Sequence, residues 1–457
     1  MSKGKHEIDM IHGPLAMKII LFALPLALSS MLQQLFNAAD LAVVGRFTNP
    51  QAMAAVGSNS SVVGLLVSLF TGLSVGANVV TANLLGSGHR EKISEAVHTI
   101  MAVALVSGVF LLAAGIVIAR PILTLMGAPA DVIALAVLYL RIYFCGMPMI
   151  MLYNFGSAIL RSRGDSRRPF LALTLAGVVN VVLNLIFVVV FHLHVIGVAL
   201  ATVLSNCLSG SLVVFFLMKE TDEFRFIPRQ LKIRREYLQK LLQIGLPAGV
   251  QGMVFSLSNV VIQSAVNSFG ADCIAGMTAA QNFDFISYCL LNAFAQTCVT
   301  FTSQNYGAGD ASRCRRVWQL SMGIGLSADL VLIAAMFASR NILIQLFTTD
   351  AEVIRYAMYR IRYAFVVHFL CGTYEITAGA LRGMNRSMVP AVISIVGTCA
   401  FRLLYVFLVF PHFRSPGTLM LVYPLSWILT AIAMNTAYFI ACKEAFSRMQ
   451  AENTDIK

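Results

Sequence analysis

Residues 17–44, MKIILFALPLALSSMLQQLFNAADLAVV, carry only one base, Lys18, and one acid, Asp40. A bilayer core about 30 Å thick is crossed by roughly 20 apolar residues in a helix, so this run is long enough to span it. The polar residues from Met1 to His12 precede a run far longer than the about 7–15 residues of a secretory signal core, and the segment is expected to stay as the first membrane helix. Similar runs recur at 52–85, 94–118, 132–159, 169–191, 195–218, 238–268, 272–305, 316–338, 353–381, 389–411 and 418–442. Together they make twelve transmembrane helices, which defines an all-α polytopic membrane protein.

Composition points the same way. The chain is 58% hydrophobic and 12% charged, against roughly 45–50% and about 25% in soluble domains. A single soluble core is excluded, because such cores stop growing near about 250–300 residues. The net charge of +12 lies in short loops and forms no folded basic face, so no nucleic acid is expected as a partner; membrane lipids are. Of the nine cysteines, six (Cys145, Cys207, Cys289, Cys298, Cys371 and Cys399) sit inside apolar runs without CxxC spacing. They read as packing residues, and neither a disulfide frame nor a metal site is expected.

The longest polar connection, Lys219 to Lys240, holds seven Lys and Arg. It divides the chain into an N-lobe at 1–218, a cytoplasmic linker at 219–237 and a C-lobe at 238–457. Loops on the side of the two termini hold about 24 of the 33 Lys and Arg, which places both termini in the cytoplasm of a cell inner membrane.

The two halves repeat. Displaced by 221 or 222 positions, Ala23-Leu24-Pro25 meets Gly245-Leu246-Pro247, Asn37 meets Asn259, Gly86-Ser-Gly88 meets Gly307-Ala-Gly309, Arg141 meets Arg362, Leu160-Arg161 meets Leu381-Arg382, and Leu204-Ser205 meets Leu425-Ser426. A repeat of six spans inserts both halves in one orientation, so a pseudo-two-fold along the membrane normal is expected, with a cavity exposed alternately to each side. No G-x-x-x-x-G-K-[ST] loop, H-E-x-x-H or nucleophile-base set occurs, so the chain reads as a non-enzyme with no cofactor, energised by an ion gradient.

Ala23-Leu-Pro-Leu-Ala followed by Asn37-Ala-Ala-Asp40-Leu-Ala-Val-Val-Gly45-Arg46-Phe47 resembles the first helix of MATE (multidrug and toxic compound extrusion) transporters. Gly86-Ser-Gly88, Leu160-Arg-Ser-Arg-Gly-Asp165 and the second-half stretches Asn305-Tyr-Gly307-Ala-Gly309 and Ala380-Leu-Arg-Gly383 extend the likeness over residues 14 to 442. The resemblance implies a monomeric antiporter that exports small amphiphilic, often cationic drugs or toxic compounds in exchange for Na+ or H+. No acid occurs from Gly249 to Val266, where the NorM-like pattern has one, and the chain looks closer to the DinF-like branch. A flippase for a lipid-linked saccharide or another lipid-like substrate is the alternative, because related families share the fold.

Ionisable residues at mid-membrane cost about 2.5–3.5 kcal/mol on insertion scales and mark pathways or ion sites. Asp40 is the first candidate: its repeat partner is Ile262, so the scaffold does not require an acid there. The bland alternative is a carboxylate paired to Arg46. Asn180 and Asn184 lie four apart on one helix face, and these two with Thr202 resemble the family's other contributors to an N-lobe cation site. One carboxylate and three neutral oxygen donors suit Na+, whereas a proton needs only Asp40; no other metal is expected. In the C-lobe, Glu375 and Arg402 are expected to approach each other, since either charge alone is expensive in the membrane. Asp284, near Phe283, Phe285 and Tyr288, is a candidate cavity acid attracting cationic substrates. Asp329 and His368 read more readily as structural.

Overall fold

The computed structural model describes residues 7–47, 50–125 and 132–455. In the first half it contains α1 (Ala16–Phe47), α2 (Pro50–Gly86), α3 (Arg90–Leu125), α4 (Ile133–Cys145, then Met147–Ser162), α5 (Arg167–Val190) and α6 (His194–Met218). In the second half follow α7 (Arg235–Asn267), α8 (Ala271–Gly307), α9 (Ala311–Ala338), α10 (Ala351–Val367, then Phe369–Gly383), α11 (Met388–Val409) and α12 (Pro416–Ala445). Ten of these are long and apolar enough to cross a membrane as they stand, and α4 and α10 are so as bent pairs, giving the twelve expected spans among the described residues.

Helix is the form the chain must take, because in hydrocarbon every backbone N–H and C=O has to be satisfied within the segment. Polar side chains mark where helices begin. Asp310 accepts from the Arg313 amide at 2.8 Å to cap α9, and Asp350 accepts from the Glu352 and Val353 amides to cap α10. Large apolar residues such as Phe110, Val117, Val331 and Phe407 face outward, while Asn184, Asp329 and Arg402 are buried. That inverts the soluble pattern and fits a lipid surround.

Lipid tails are as apolar as leucine, so close packing has to hold such helices together, and glycine permits the closest approach. A Cβ on Gly72 of α2 would lie 2.2 Å from the Gly249 amide nitrogen of α7, and one on Gly249 would lie 2.3 Å from the Leu69 carbonyl. The two backbones therefore touch.

The repeat is visible in the irregularities as well. α4 bends by 48° at Gly146 and α10 by 44° at His368, 222 positions later. α5 ends in a widened π turn over Leu185–Val190, where the Phe191 amide reaches the Ile186 carbonyl five residues back at 3.0 Å. α11 carries one at the matching place, Tyr405–Val409, and an additional one at Ile395–Ala400. Each such turn winds in an extra residue and re-aims the side chains beyond it.

Two compact units emerge. The first comprises the residues up to Asp9 and Leu28–Gly249; the second comprises Met10–Ala27 and Val250–Lys457. Their borders, after Ala27 and after Gly249, are themselves 222 positions apart. The start of α1 thus packs with the second unit, where the Phe22 ring meets Phe301 at 5.6 Å. The start of α7 packs with the first. The polar connection after α6 also docks on the first unit: Thr99 donates to the Lys232 carbonyl at 3.1 Å, and Arg234 pairs with Glu95 at 3.0 Å.

Candidate functional site

In the first unit α1 presents Gln33, Asn37 and Asp40 on one face, at the i, i+4, i+7 spacing of a helix, to a cavity of about 330 Å³. Tyr139, Tyr143 and Tyr153 of α4, Asn180 of α5, and Thr202 and Ser205 of α6 complete much of its lining. What brings α1 this close to α5 is Gly177. A Cβ there would fall 1.7 Å from the Phe36 ring, so the ring fills the notch that the glycine leaves. Asp40 lies one turn beyond Phe36, and Asn180 and Asn184 lie one and two turns beyond Gly177, so the notch sets their register.

Asp40 is buried, and its partners are neutral. The Asn184 amide donates to Asp40 Oδ1 and, at 3.1 Å, to Asn180 Oδ1. The Asn180 amide reaches Ser205 Oγ at 3.4 Å. The Thr202 hydroxyl has two acceptors in reach, the Val198 carbonyl at 2.9 Å and Asp40 Oδ2 at 3.3 Å, but only one proton. When that proton serves Val198, the hydroxyl oxygen turns a lone pair toward the carboxylate. Asn184 Oδ1 is buried with no hydrogen-bond partner. The four residues expected to form a cation site are therefore together, and no salt bridge joins Asp40 to Arg46 among the described residues.

The second unit places different chemistry at the matching positions. Arg402, almost fully buried, donates from Nε to Ser426 Oγ at 3.1 Å and from Nη1 to Asn259 Oδ1 at 3.3 Å. Ser426 is the repeat counterpart of Ser205, so Arg402 holds the place of Asn180. The extra π turn at Ile395–Ala400 explains the register: one residue wound in there moves the displacement from 221 to 222. Tyr423, at the place of Thr202, offers its ring to the guanidinium groups of Arg402 (4.8 Å) and Arg360 (5.1 Å).

Two expectations are corrected here. Glu375 and Arg402 do not pair: Arg402 is committed to Ser426, Asn259 and the rings of Phe255 and Tyr423, whereas Glu375 is half-buried and forms no salt bridge among the described residues. The hydrogen bonds of Arg402 go to α7 and α12, and none goes to Glu375. Asp284 is not an open cavity acid. It is buried against Arg360, whose Nε lies 2.7 Å from Asp284 Oδ2, and the pair is neutral. Arg360 was missed by sequence reasoning; its repeat counterpart Tyr139, a lining residue of the first unit's cavity, is the signal that points to it. Asp329 and His368 are buried in the same unit and meet through Ser287, with oxygen to oxygen at 2.6 Å and oxygen to Nδ1 at 2.7 Å.

Twelve apolar helices in two repeated halves, with buried polar sites in place of a catalytic constellation, define a polytopic membrane transporter. The MatE family model matches residues 25–186 and again residues 247–408, two copies displaced by the 222 positions of the repeat. The chain belongs to the MatE family, whose members are transporters and not enzymes. It is 29% identical over 384 residues to the probable multidrug resistance protein YoeA of Bacillus subtilis, covering 82% of each chain. It is 24% identical over 397 residues to an FAD transporter of Shewanella oneidensis, covering 86% of this chain and 87% of that one. In fold it matches a MOP superfamily transporter from Pyrococcus furiosus with a TM-score of 0.87 at 22% identity, over 98% of this chain and all of that one. None of these three is described as a flippase.

Proposed function

We propose that this chain is a secondary active antiporter that exports small amphiphilic, often cationic drugs or toxic compounds in exchange for Na+ or H+, with Asp40 holding the coupling ion. The observation that carries this reading is the buried Asp40 carboxylate surrounded by neutral oxygens, one of which, Asn184 Oδ1, has no partner. One carboxylate with the oxygens of Asn180, Asn184 and Thr202 is a hard donor set, which favours Na+ over a site built for the proton alone. Asp40 also faces the tyrosine-lined cavity, so an ion on the carboxylate and a cationic substrate in the cavity would compete for one charge. Relatives described as multidrug resistance proteins support the substrate class, and a relative described as an FAD transporter widens it to larger amphiphiles.

The same reading has the chain act as a monomer by alternating access in the inner membrane, with both termini cytoplasmic. The absence of an acid from Gly249 to Val266 supports the DinF-like branch. Export of ethidium or norfloxacin from cells, measured while Na+ and pH gradients are varied independently, tests the proposal. Asp40→Asn is expected to remove the dependence on either gradient and lower efflux roughly tenfold or more, the equivalent of one lost charge-assisted contact of about 1.5–3 kcal/mol. Equal, gradient-dependent efflux in both forms would remove Asp40 from the coupling role.

A further inference from the structure

The second unit has Ile262 at the place of Asp40, yet it buries an acid of its own. Asp329 of α9 is fully buried; its Oδ1 lies 2.6 Å from Ser287 Oγ of α8, and that same oxygen lies 2.7 Å from His368 Nδ1 at the bend of α10. Asp329 Oδ2 is buried with no hydrogen-bond partner, a position that costs an ionised carboxylate more than a protonated acid. Gly108 and Leu66, 221 positions earlier, and Gly146, the bend residue 222 positions earlier, stand where Asp329, Ser287 and His368 do, so the fold itself does not call for this chain of groups.

We propose that Asp329, Ser287 and His368 form a second proton-binding site, in the unit that lacks Asp40. The heavy-atom geometry serves both proton arrangements, because a serine hydroxyl both donates and accepts. In the deprotonated form, His368 Nδ1–H donates to Ser287 Oγ and the serine proton lies on the bond to the Asp329 carboxylate. A proton arriving at Nε2 is balanced by transfer of the Nδ1 proton to Ser287 Oγ and of the serine proton to Asp329 Oδ1. His368 then returns to neutral in its other tautomer, Asp329 is an acid, and the site's charge has risen by one. No heavy atom has to move for either arrangement.

Of the charges around the site, all but Glu375, which forms no salt bridge among the described residues, are engaged. On α8, Asp284 is held by Arg360 of α10 at 2.7 Å. On α11, Arg402 is held by Ser426 and Asn259. α12 presents the rings of Trp427 and Tyr423, α10 itself adds Cys371, bonded to the Tyr374 hydroxyl at 3.2 Å, and Glu375, and α7 adds the neutral amide of Asn259. The proton is therefore the ion that the three residues can exchange without breaking a neighbouring pair. This inference does not depend on the role of Asp40.

Trp427 supplies the readout. It stands edge-on to the His368 ring at 5.1 Å, and the chain has only two tryptophans. In the full-length protein with Trp318→Phe, Trp427 fluorescence is expected to follow a single sigmoidal curve between about pH 4 and pH 9, the range of carboxyl and imidazole groups. Asp329→Asn is expected to move its midpoint by about one pH unit or more, His368→Gln to abolish it, and Asp40→Asn or added Na+ to leave it in place. Ser287→Ala, which removes one hydroxyl and is the variant most certain to fold, is expected to displace the midpoint as Asp329→Asn does. A flat curve in the parent, a curve unchanged by Ser287→Ala and Asp329→Asn, or a midpoint that follows Na+ at fixed pH would each overturn the proposal.

Discussion

At Asp40 the protein keeps a carboxylate in the membrane without a cationic partner, and the compensation comes from an amide and a hydroxyl. Such donors stabilise the charge without cancelling it, as the proposed ion-binding role requires. Its position depends on a residue with no side chain. Gly177→Val would drive a branched side chain into the space of the Phe36 ring, 1.7 Å from where its first carbon would lie, and push α1 off α5. We expect this variant to reach the membrane in reduced amount and to lose more than about tenfold in ion-driven efflux, because an overpacked contact costs about 1–3 kcal/mol and the Asn184 contact to Asp40 would open with it. Efflux per molecule of membrane protein is the measurement that checks it. The Phe36→Ala, Gly177→Val pair, which clears the notch, should recover part of the loss.

Elements carry the second lesson. The crossing of α2 with α7 is a contact of backbones at Gly72 and Gly249, whereas a Cβ on Gly64 of the same α2 would meet nothing within 4 Å. Gly72→Val should therefore abolish accumulation in the membrane and Gly64→Ala should be silent, an outcome that quantitative blotting of membrane fractions would establish. The spans were legible in the sequence because hydropathy over about 19 residues depends on composition alone. The bends at Gly146 and His368 and the π turns were not, since each is a change of one residue's geometry within an apolar run that composition leaves uniform. The same blindness explains the misplaced pairing of Glu375 with Arg402. Charge and depth suggested the pair, but the π turn at Ile395–Ala400 rotates Arg402 by roughly 100° relative to an unbroken helix and hands it to Ser426 and Asn259. Asp40, Asn180, Asn184 and Thr202 were legible together because they sit on regular stretches of helix and within a resemblance, while Arg360 and the Asp329–Ser287–His368 chain were scattered over elements with no motif to join them.

For the molecule as a whole, the distribution of charge predicts an orientation with both termini in the cytoplasm. About 24 of the 33 Lys and Arg lie with the two termini, and a membrane-impermeant thiol reagent applied to intact cells should fail to label a cysteine added at either end of a variant with its native cysteines removed. Labelling of both ends before lysis would reverse the assigned topology. The internal repeat extends to the division of the fold, for both compact units change hands at one point of the repeat, after Ala27 and after Gly249.

That exchange has a consequence for how the protein is made. Phe22 leaves the ribosome about 280 residues ahead of Phe301, the ring it packs against, which at about 5–20 residues per second is a delay of about 15–60 s. During that interval the opening piece of α1 lies in the bilayer without its final neighbours, and the first unit in turn cannot close until Arg235–Gly249 has been synthesised. Neither unit is built from one half of the chain alone, so a product truncated after α6 would be left with unfinished surfaces for the quality-control proteases of the membrane to recognise.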